Sequence, residues 1–103
     1  MSPRELLARI NAGRPVCILD VRSTSEFRAG HVPGAIHVPF WQVGRWRDRL
    51  ASHRNDTIVV YCGHGPRAYY AGAALKRNGF TGVEYLEGHM KKWRDLKLPL
   101  EVT

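Results

Sequence analysis

Thr57-Ile58-Val59-Val60-Tyr61 runs directly into Cys62-Gly63-His64-Gly65-Pro66-Arg67, and this stretch decides the fold of the 103-residue sequence. Its first half is apolar and rich in β-branched residues, which predicts a strand buried on both faces. The two glycines that follow permit a tight loop, and Pro66 suits the first position of a helix over about residues 67–78, capped by Gly79. A buried strand, a glycine loop and a helix in this order are typical of an α/β fold on a parallel sheet.

The rest of the chain repeats this alternation. Ser2 and Ser23 each precede a glutamate by three residues, a spacing that predicts helices opened by capping boxes. Short apolar or extended runs predict further strands at 16–19, 35–38 and 83–86, and further helices are expected at 40–50 and 88–96. We therefore predict one α/β domain over residues 1–103, with a central, mostly parallel sheet flanked by helices.

Composition excludes several classes of protein. The chain is 44% hydrophobic and 24% charged, which is typical of a soluble globular domain. It has no apolar run near the ~18–20 residues of a membrane span and no signal-peptide pattern, so we expect no membrane association. Two cysteines are too few for a disulfide scaffold or a four-cysteine zinc module, and the five histidines lack the spacing of zinc ligands. We expect neither a metal nor a cofactor.

Charge is the unusual feature of the composition. Sixteen Lys and Arg against nine Asp and Glu give a net charge of +7, with the basic residues spread evenly over both halves of the chain. Because the sequence has no basic tail and no block of like charge, we do not expect nucleic-acid binding. A diffuse positive field favours small anionic substrates instead, although most of these groups are expected to be ordinary solvated surface.

The candidate site follows from the strand ends. In an open α/β sheet the ligand crevice lies beyond the carboxyl ends of the strands. The chemically active residues that this rule selects are Asp20, Arg22, His37, Cys62, Glu87 and His89. A thiol, two acids, an arginine and two histidines are therefore expected at one edge of the sheet.

Cys62 is the strongest of these candidates, because it leaves a buried strand and enters a glycine-rich loop. Such a loop turns successive backbone N–H groups inward, and the helix behind it adds positive potential. His64 and Arg67 are close enough in sequence to add more. These features favour a thiolate and stabilise an anion beside the sulfur, so we interpret Cys62 as a nucleophile rather than a structural cysteine.

Cys17 provides an internal control. It lies at the opening end of the first strand, whereas Cys62 follows the closing end of its own strand. At ~3.3 Å per residue the two sulfurs are expected to lie more than ~10 Å apart, beyond disulfide reach. We interpret Cys17 as a small buried hydrophobe.

Three segments match a known family in order and spacing. They are Asp20-Val21-Arg22 through Gly30-His31-Val32-Pro33-Gly34-Ala35 to Pro39, the loop of residues 60–68, and the closing residues 78–93. Together, over nearly the whole chain from about Ser2 to Pro99, they resemble the rhodanese family. The resemblance implies a three-layer fold with a sheet of four or five strands, and a single-domain sulfurtransferase that works through a cysteine persulfide.

The resemblance also implies roles for individual residues. Cys62 corresponds to the nucleophile and Arg67 to the residue that closes and orders the loop, whose other members are Gly63, His64, Gly65, Pro66 and Ala68. Four further residues match positions that brace the site, namely Asp20, Arg22, Glu26 and His31. A plain surface ion pair between Arg22 and Glu26 is the alternative for those two. His37 and His89 are additional candidates.

The function implied is transfer of a sulfane sulfur from thiosulfate or a persulfide to cyanide in vitro, or to thiols in the cell. Thioredoxin, glutathione or a protein sulfur acceptor all fit the acceptor role. A sulfur-carrier, sulfur-sensing or interaction module with little turnover is the main alternative. An arsenate reductase or phosphatase is disfavoured, because those related enzymes place five residues between cysteine and arginine and this chain places four. A free reactive thiol favours a reducing compartment, so we expect the cytoplasm.

The sequence departs from the family pattern in three places. Pro66 has no N–H, so the loop has one donor fewer than most residues would supply there. His89 stands where a second glycine is usual, and it is expected either to fill part of the pocket or to add a cation. Finally, the chain starts almost at its first helix, without the short edge strand common in the family, which leaves open whether the domain belongs to a longer protein.

Overall fold

Helices and short strands alternate along the chain in a computed structural model that describes residues 1–103. The elements are α1 (Pro3–Asn11), β1 (Cys17–Asp20), α2 (Thr24–Ala29), β2 (Ile36–His37), two 3₁₀ helices (Phe40–Trp46 and Ala51–His53), β3 (Thr57–Tyr61), α3 (Pro66–Arg77), β4 (Gly82–Tyr85) and α4 (His89–Asp95). None of the helices has the length and apolar character needed to cross a bilayer.

The four strands form one sheet in the order β2-β1-β3-β4, and every neighbouring pair is parallel. Asp20, the last residue of β1, lies opposite His37 of β2 and Tyr61 of β3. The predicted α/β fold on a parallel sheet is therefore confirmed. Because all strands run the same way, their carboxyl ends meet at one edge.

Alternation along β3 divides the core between the two faces of the sheet. Val60 and Cys62 pack with Leu75 of α3 on one face, whereas Val59 and Tyr61 pack with Trp93 of α4 on the other. Successive side chains of a strand point to opposite faces, so a strand covered on both sides reads as a continuous apolar run. The result is the expected three-layer arrangement of helices, sheet and helices.

The predicted caps are complete at one helix and partial at the other. In α2 the Ser23 hydroxyl accepts the N–H of Glu26, and the Glu26 carboxylate accepts the N–H of Ser23 in return. In α1 the Ser2 hydroxyl accepts the N–H of Glu5, but the Glu5 carboxylate lies 3.9 Å from Arg9 instead. The capping box predicted for α1 is thus only half present, because Arg9 attracts the carboxylate along the helix surface.

The helix expected over residues 40–50 is wrong in type. Its first part is a 3₁₀ helix, in which the N–H of Gln42 reaches the carbonyl of Pro39 only three residues back. Phe40 is still hydrogen-bonded to the carbonyl of Val21, just past β1, so the chain begins to wind while it is attached to the sheet. Gly44, a poor helix former, then lies in the middle of the segment, which further disfavours α-helical winding.

Met1 lies along the outer edge of β4. Its ammonium group donates to the carbonyl of Tyr85 at 3.0 Å, and its carbonyl accepts the N–H of Glu87 at 2.9 Å. These bonds pair one backbone group at the end of the edge strand and one just beyond it.

Candidate active site

The candidate residues meet where the strands end. Asp20 and His37 are the paired last residues of β1 and β2, and Cys62 directly follows β3. His89 opens α4, shortly after β4. The topology places these four side chains at the carboxyl edge of the sheet, as the strand-end rule predicts.

Cys62 is held from both sides by backbone contacts. Its N–H donates to Nδ1 of His89 at 3.3 Å, and its carbonyl accepts the N–H of Met90 at 3.0 Å. Its Sγ accepts the N–H of Gly65 at 2.9 Å, and the residue is only 1% exposed. The start of α4 therefore fixes the backbone of Cys62, while the loop fixes its sulfur.

The loop around Cys62 offers unpaired backbone donors. The N–H groups of Gly63 and His64 in the loop make no hydrogen bond within the chain. Those of Arg67 and Ala68 are also free, because the first N–H bonded at the start of α3 is that of Tyr69. Free N–H groups at a helix start bind anions well. This part of the loop is thus a cradle for negative charge next to the thiol.

Gly65 is the residue that allows the loop to close so tightly. Its φ is +141°, a conformation that side-chain-bearing residues rarely adopt. A Cβ at this position would also lie 3.0 Å from Cε2 of Tyr69 and 3.3 Å from Nε2 of His89. Glycine is therefore required here both by the backbone and by its neighbours.

Arg67 is tied to Glu26 across the loop. The guanidinium donates to both carboxylate oxygens, at 2.7 and 3.1 Å, and Ser23 donates to the same carboxylate from its backbone and hydroxyl. Arg67 lowers the pKa of Glu26 to about 2, and Glu26 in turn is the main cause that raises the pKa of Arg67, with the charge of Cys62 adding to it. The pair also packs on Gly63, where an added Cβ would lie 3.3 Å from Nη2.

Asp20 and Arg22 form a second, fully buried pair beneath this edge. Nε and Nη2 of Arg22 donate to the carboxylate of Asp20, with the shortest contact at 2.6 Å, and Nη2 also donates to the carbonyl of Gly30. The Tyr61 hydroxyl donates to the same carboxylate at 2.7 Å and accepts the N–H of Val32. The alternative of an Arg22–Glu26 surface pair is wrong, because each of these residues has a different partner and Arg22 is 3% exposed.

The remaining histidines have different surroundings. His31 is buried, donates from Nδ1 to the carbonyl of Phe27 at 2.8 Å, and stacks on the Phe27 ring, so it braces α2 rather than the loop. His37 contacts the carbonyl of Arg22 through Nε2 at 2.8 Å. His64 lies exposed in the loop itself.

His89 differs from the expectation that it adds a cation. It is 3% exposed, and burial, together with the nearby His64, lowers the pKa of its imidazole. The ring is therefore neutral at pH 7. Its Nδ1 is an acceptor for the N–H of Cys62, so its contribution to the site comes from hydrogen bonding and not from charge.

The control cysteine behaves as the sequence predicts. Cys17 pairs with Ile58 at the opposite end of the sheet, and both cysteines are free thiols. Burial, followed by the negative charge of Asp56, raises the pKa of Cys17 to about 11. Cys17 is thus a protonated, structural thiol at neutral pH.

A family comparison agrees with this geometry. The model of the Rhodanese-like domain matches residues 2–96, which is nearly the whole chain. The chain belongs to the rhodanese-like domain family. The Cys62 loop and the Arg67–Glu26 ion pair that closes it lie within the matched residues.

Relatives of this rhodanese-like domain include proteins of different kinds. The chain is 36% identical to the chloroplastic thiosulfate sulfurtransferase 16 of Arabidopsis thaliana over 91 residues, covering 79% of this chain and 76% of the relative. It is 39% identical to an HTH-type transcriptional regulator of Mycobacterium tuberculosis over 100 residues, covering 94% of this chain and 42% of the regulator. The chain spans less than half the length of the first curated relatives that it matches.

A solved structure gives the same fold. The crystal structure of the Alr3790 protein from Anabaena aligns with the whole chain and with 82% of its own length, at a TM-score of 0.87 and 29% identity. The comparisons as a whole support a rhodanese-like family of sulfurtransferases and sulfur carriers.

Sequence reasoning missed two contributors to the rhodanese-like site. Tyr61 was expected only as a strand residue, yet its hydroxyl joins Asp20 to Val32. The available signal was a tyrosine in a strand buried on both faces, since a buried phenol hydroxyl needs a partner. The hydrogen bond between Met90 and Cys62 joins backbone atoms alone, so the types of these two residues do not predict it.

Proposed function

We propose that this domain is a sulfurtransferase that carries a sulfane sulfur as a persulfide on Cys62. The observation that carries the proposal is the position of Sγ, which accepts the N–H of Gly65 beside a loop whose other N–H groups are free. Such donors stabilise negative charge on sulfur without having to reorganise during the reaction. Cys17 has no comparable surroundings.

The first half-reaction loads the sulfur. The Cys62 thiolate attacks the outer sulfur of thiosulfate, the S–S bond of thiosulfate breaks, and sulfite leaves with the bonding electron pair. One S–S bond forms and one breaks, and the total charge of −3 is unchanged. The cradle holds the anionic sulfur in both covalent states.

The second half-reaction unloads it. An acceptor thiolate or cyanide attacks the outer sulfur of the persulfide, and the Cys62 thiolate leaves. Because Cys62 is 1% exposed, an acceptor reaches this outer sulfur, which extends about 2 Å beyond Sγ, more easily than Sγ itself. Burial of the inner sulfur therefore favours transfer over attack at the wrong atom.

The donors and acceptors that we propose follow from charge. Thiosulfate and persulfides are anions, and the chain carries a net charge of +7. The acceptor that completes the cycle would be glutathione, thioredoxin or another protein thiol in a reducing compartment. We propose that this domain acts in the cytoplasm. The positive field favours approach of the anionic donors and is screened by salt.

A second candidate is a sulfur-sensing or interaction module with little turnover. The similarity to a transcriptional regulator over 94% of this chain favours it, because there the domain is part of a much longer protein. This candidate uses the same Cys62 chemistry but omits rapid unloading.

Mass spectrometry of the intact chain tests the proposal. After thiosulfate treatment we expect one added sulfur atom on the wild-type chain and on Cys17→Ser, and none on Cys62→Ser. Thiosulfate:cyanide transfer should follow the same pattern. An adduct without turnover would favour the sensing module, and absence of the adduct with several donors would overturn both candidates.

A further inference from the structure

Two unusual residues of this domain flank Gly65, one in sequence and one in space. Pro66 opens α3 and removes one N–H from the loop. His89 opens α4, and its Nε2 lies 3.3 Å from the position that a Cβ of the adjacent Gly65 would occupy. The imidazole of His89 therefore lies beside Gly65, the residue that directly precedes the missing backbone N–H of Pro66.

The hydrogen bonds fix which nitrogen of His89 carries the proton. Nδ1 accepts the N–H of Cys62, and a neutral imidazole has one acceptor and one donor nitrogen. The proton is then on Nε2. Burial and the charge of His64 lower the pKa of the ring, which agrees with this neutral form.

The Nε2–H group has no partner within the chain. Nε2 makes no hydrogen bond. Every completely buried side-chain nitrogen or oxygen of the structure does have a hydrogen-bond partner. Nε2 must therefore touch solvent at the mouth of the loop, although His89 as a whole is 3% exposed. Its ring is held edge-to-face against Tyr69, so the direction of the N–H is fixed.

The backbone of His89 is also unusual. Its φ is +53°, a left-handed conformation that costs a non-glycine residue free energy and persists only where the surroundings hold it. A glycine would adopt this conformation without cost, but it would offer neither Nδ1 to Cys62 nor Nε2–H to a ligand. The hydrogen bonds that the imidazole can make therefore compensate for the strained backbone.

We propose that His89 supplies, through Nε2–H, the donor that Pro66 removes from the loop, and that it binds the outer sulfur of the Cys62 persulfide. Through Nδ1 the same ring positions the backbone of Cys62. The inference rests on the proposed function, since the persulfide is the anion that the donor serves. On this proposal, His89 compensates for the backbone N–H that Pro66 lacks.

Two substitutions separate the two nitrogens of the ring. In His89→Asn, Oδ1 can still accept the N–H of Cys62, and asparagine tolerates the left-handed backbone, but nothing reaches the position of Nε2. In His89→Gln, the longer amide can place an N–H there while the contact with Cys62 is lost. We expect His89→Asn to lower kcat/KM for thiosulfate about a hundredfold with little change in Tm, and His89→Gln to retain more activity.

Restoring the backbone donor is the decisive measurement. Pro66→Ala returns an N–H to the loop, so it should recover most of the activity lost in His89→Asn and have a smaller effect in the wild-type background. Labelled-histidine NMR should show the Nε2–H tautomer, with the His89 resonance shifting when thiosulfate is added to Cys62→Ser. Wild-type activity in His89→Asn, or no rescue by Pro66→Ala, would overturn the inference and leave the proposed function intact. A wild-type chain that takes up no sulfur would overturn the proposed function and this use of His89 together.

Discussion

The two cysteines of the chain are buried almost equally but differ in every other respect. Cys17 is 5% exposed and Cys62 is 1% exposed. Cys17 lies at the amino end of β1, where burial and, to a smaller extent, the charge of Asp56 raise its pKa to about 11. Cys62 lies beyond the carboxyl end of β3, where it meets the N–H of Gly65 and lies close to the guanidinium of Arg67. The two thiols therefore differ mainly in the groups that surround them at opposite edges of the sheet, since their exposed fractions are nearly the same.

The amino and carboxyl edges of the sheet also differ in their cavities. The hollow large enough for a small molecule, about 290 Å³, lies at the amino edge around Cys17, His53 and Asp56. The carboxyl edge has no such cavity, but it has unpaired N–H groups and two ordered ion pairs. Transfer of a single sulfur, as we propose it for Cys62, needs donors rather than volume, so the candidate site and this hollow lie at opposite edges.

Substituting one aspartate at each edge should give the largest difference. Asp20→Asn leaves the buried Arg22 without its counter-ion, and we expect a loss of about 3–5 kcal/mol in the free energy of unfolding. Asp56→Asn removes an exposed carboxylate whose partner is His53, so its effect should be within about 0.5 kcal/mol. Urea unfolding of both variants measures this. Equal losses would contradict the view that only the carboxyl edge is built around buried charge.

Alkylation of Cys17 should show how strongly the amino edge suppresses a thiol. In the Cys62→Ser variant, the rate with iodoacetamide should rise about a hundredfold from pH 8 to pH 10, because thiolate increases tenfold per pH unit below a pKa of about 11. In urea the same unfolded variant should react faster at pH 8. Its rate should also become constant at a lower pH than in the folded chain, because the unfolded thiol has its ordinary pKa. A native rate that is already constant above pH 8 would show that Asp56 and burial do not keep Cys17 protonated.

Breaking the ion pair that closes the loop should affect activity more than stability. Glu26→Gln removes the charge that holds Arg67 over Gly63, and we expect kcat/KM for thiosulfate to fall about tenfold because the loop loses its order. Glu5→Gln is the matched control, since the exposed Glu5 carboxylate pairs with Arg9, at 3.9 Å, on the surface of α1. A tenfold loss in both variants would point to a general charge effect.

The edge of the sheet at which each cysteine lies could be predicted from the sequence, but the side-chain partners at each edge could not. Strand direction follows from hydrophobic runs and from short crossovers, and these are local, so the positions of Cys17 and Cys62 were predictable. The partner of Arg22 was not, because Asp20, Glu26 and several carbonyls lie within reach of a long side chain until the backbone is fixed. The 3₁₀ winding after Pro39 depends on a hydrogen bond to Val21, and such tertiary contacts override local propensity.

The smallest effect concerns pH, and it again distinguishes the two edges. His89 has a folded pKa below its ordinary value because of burial and His64, with Cys62 and Tyr69 as its other polar neighbours. The unfolded chain therefore binds a proton at His89 before the folded chain does, so the free energy of unfolding should fall as pH drops below about 6.5. Below about 4.5 a further loss should follow, because the pKa of Glu26 is about 2 in the folded state.

Urea unfolding between pH 8 and pH 3 measures both steps, and two variants assign them. His89→Asn should remove the part of the slope that begins near pH 6.5, while Glu26→Gln should remove part of the slope that begins near pH 4.5. His53→Asn should leave the His89 step in place, since His53 lies at the amino edge with Cys17 and its side chain is hydrogen-bonded to Asp56. If His53→Asn removed the step near pH 6.5 and His89→Asn did not, the pH-sensitive histidine would belong to the amino edge, and the assignment of a neutral His89 beside Cys62 would be wrong.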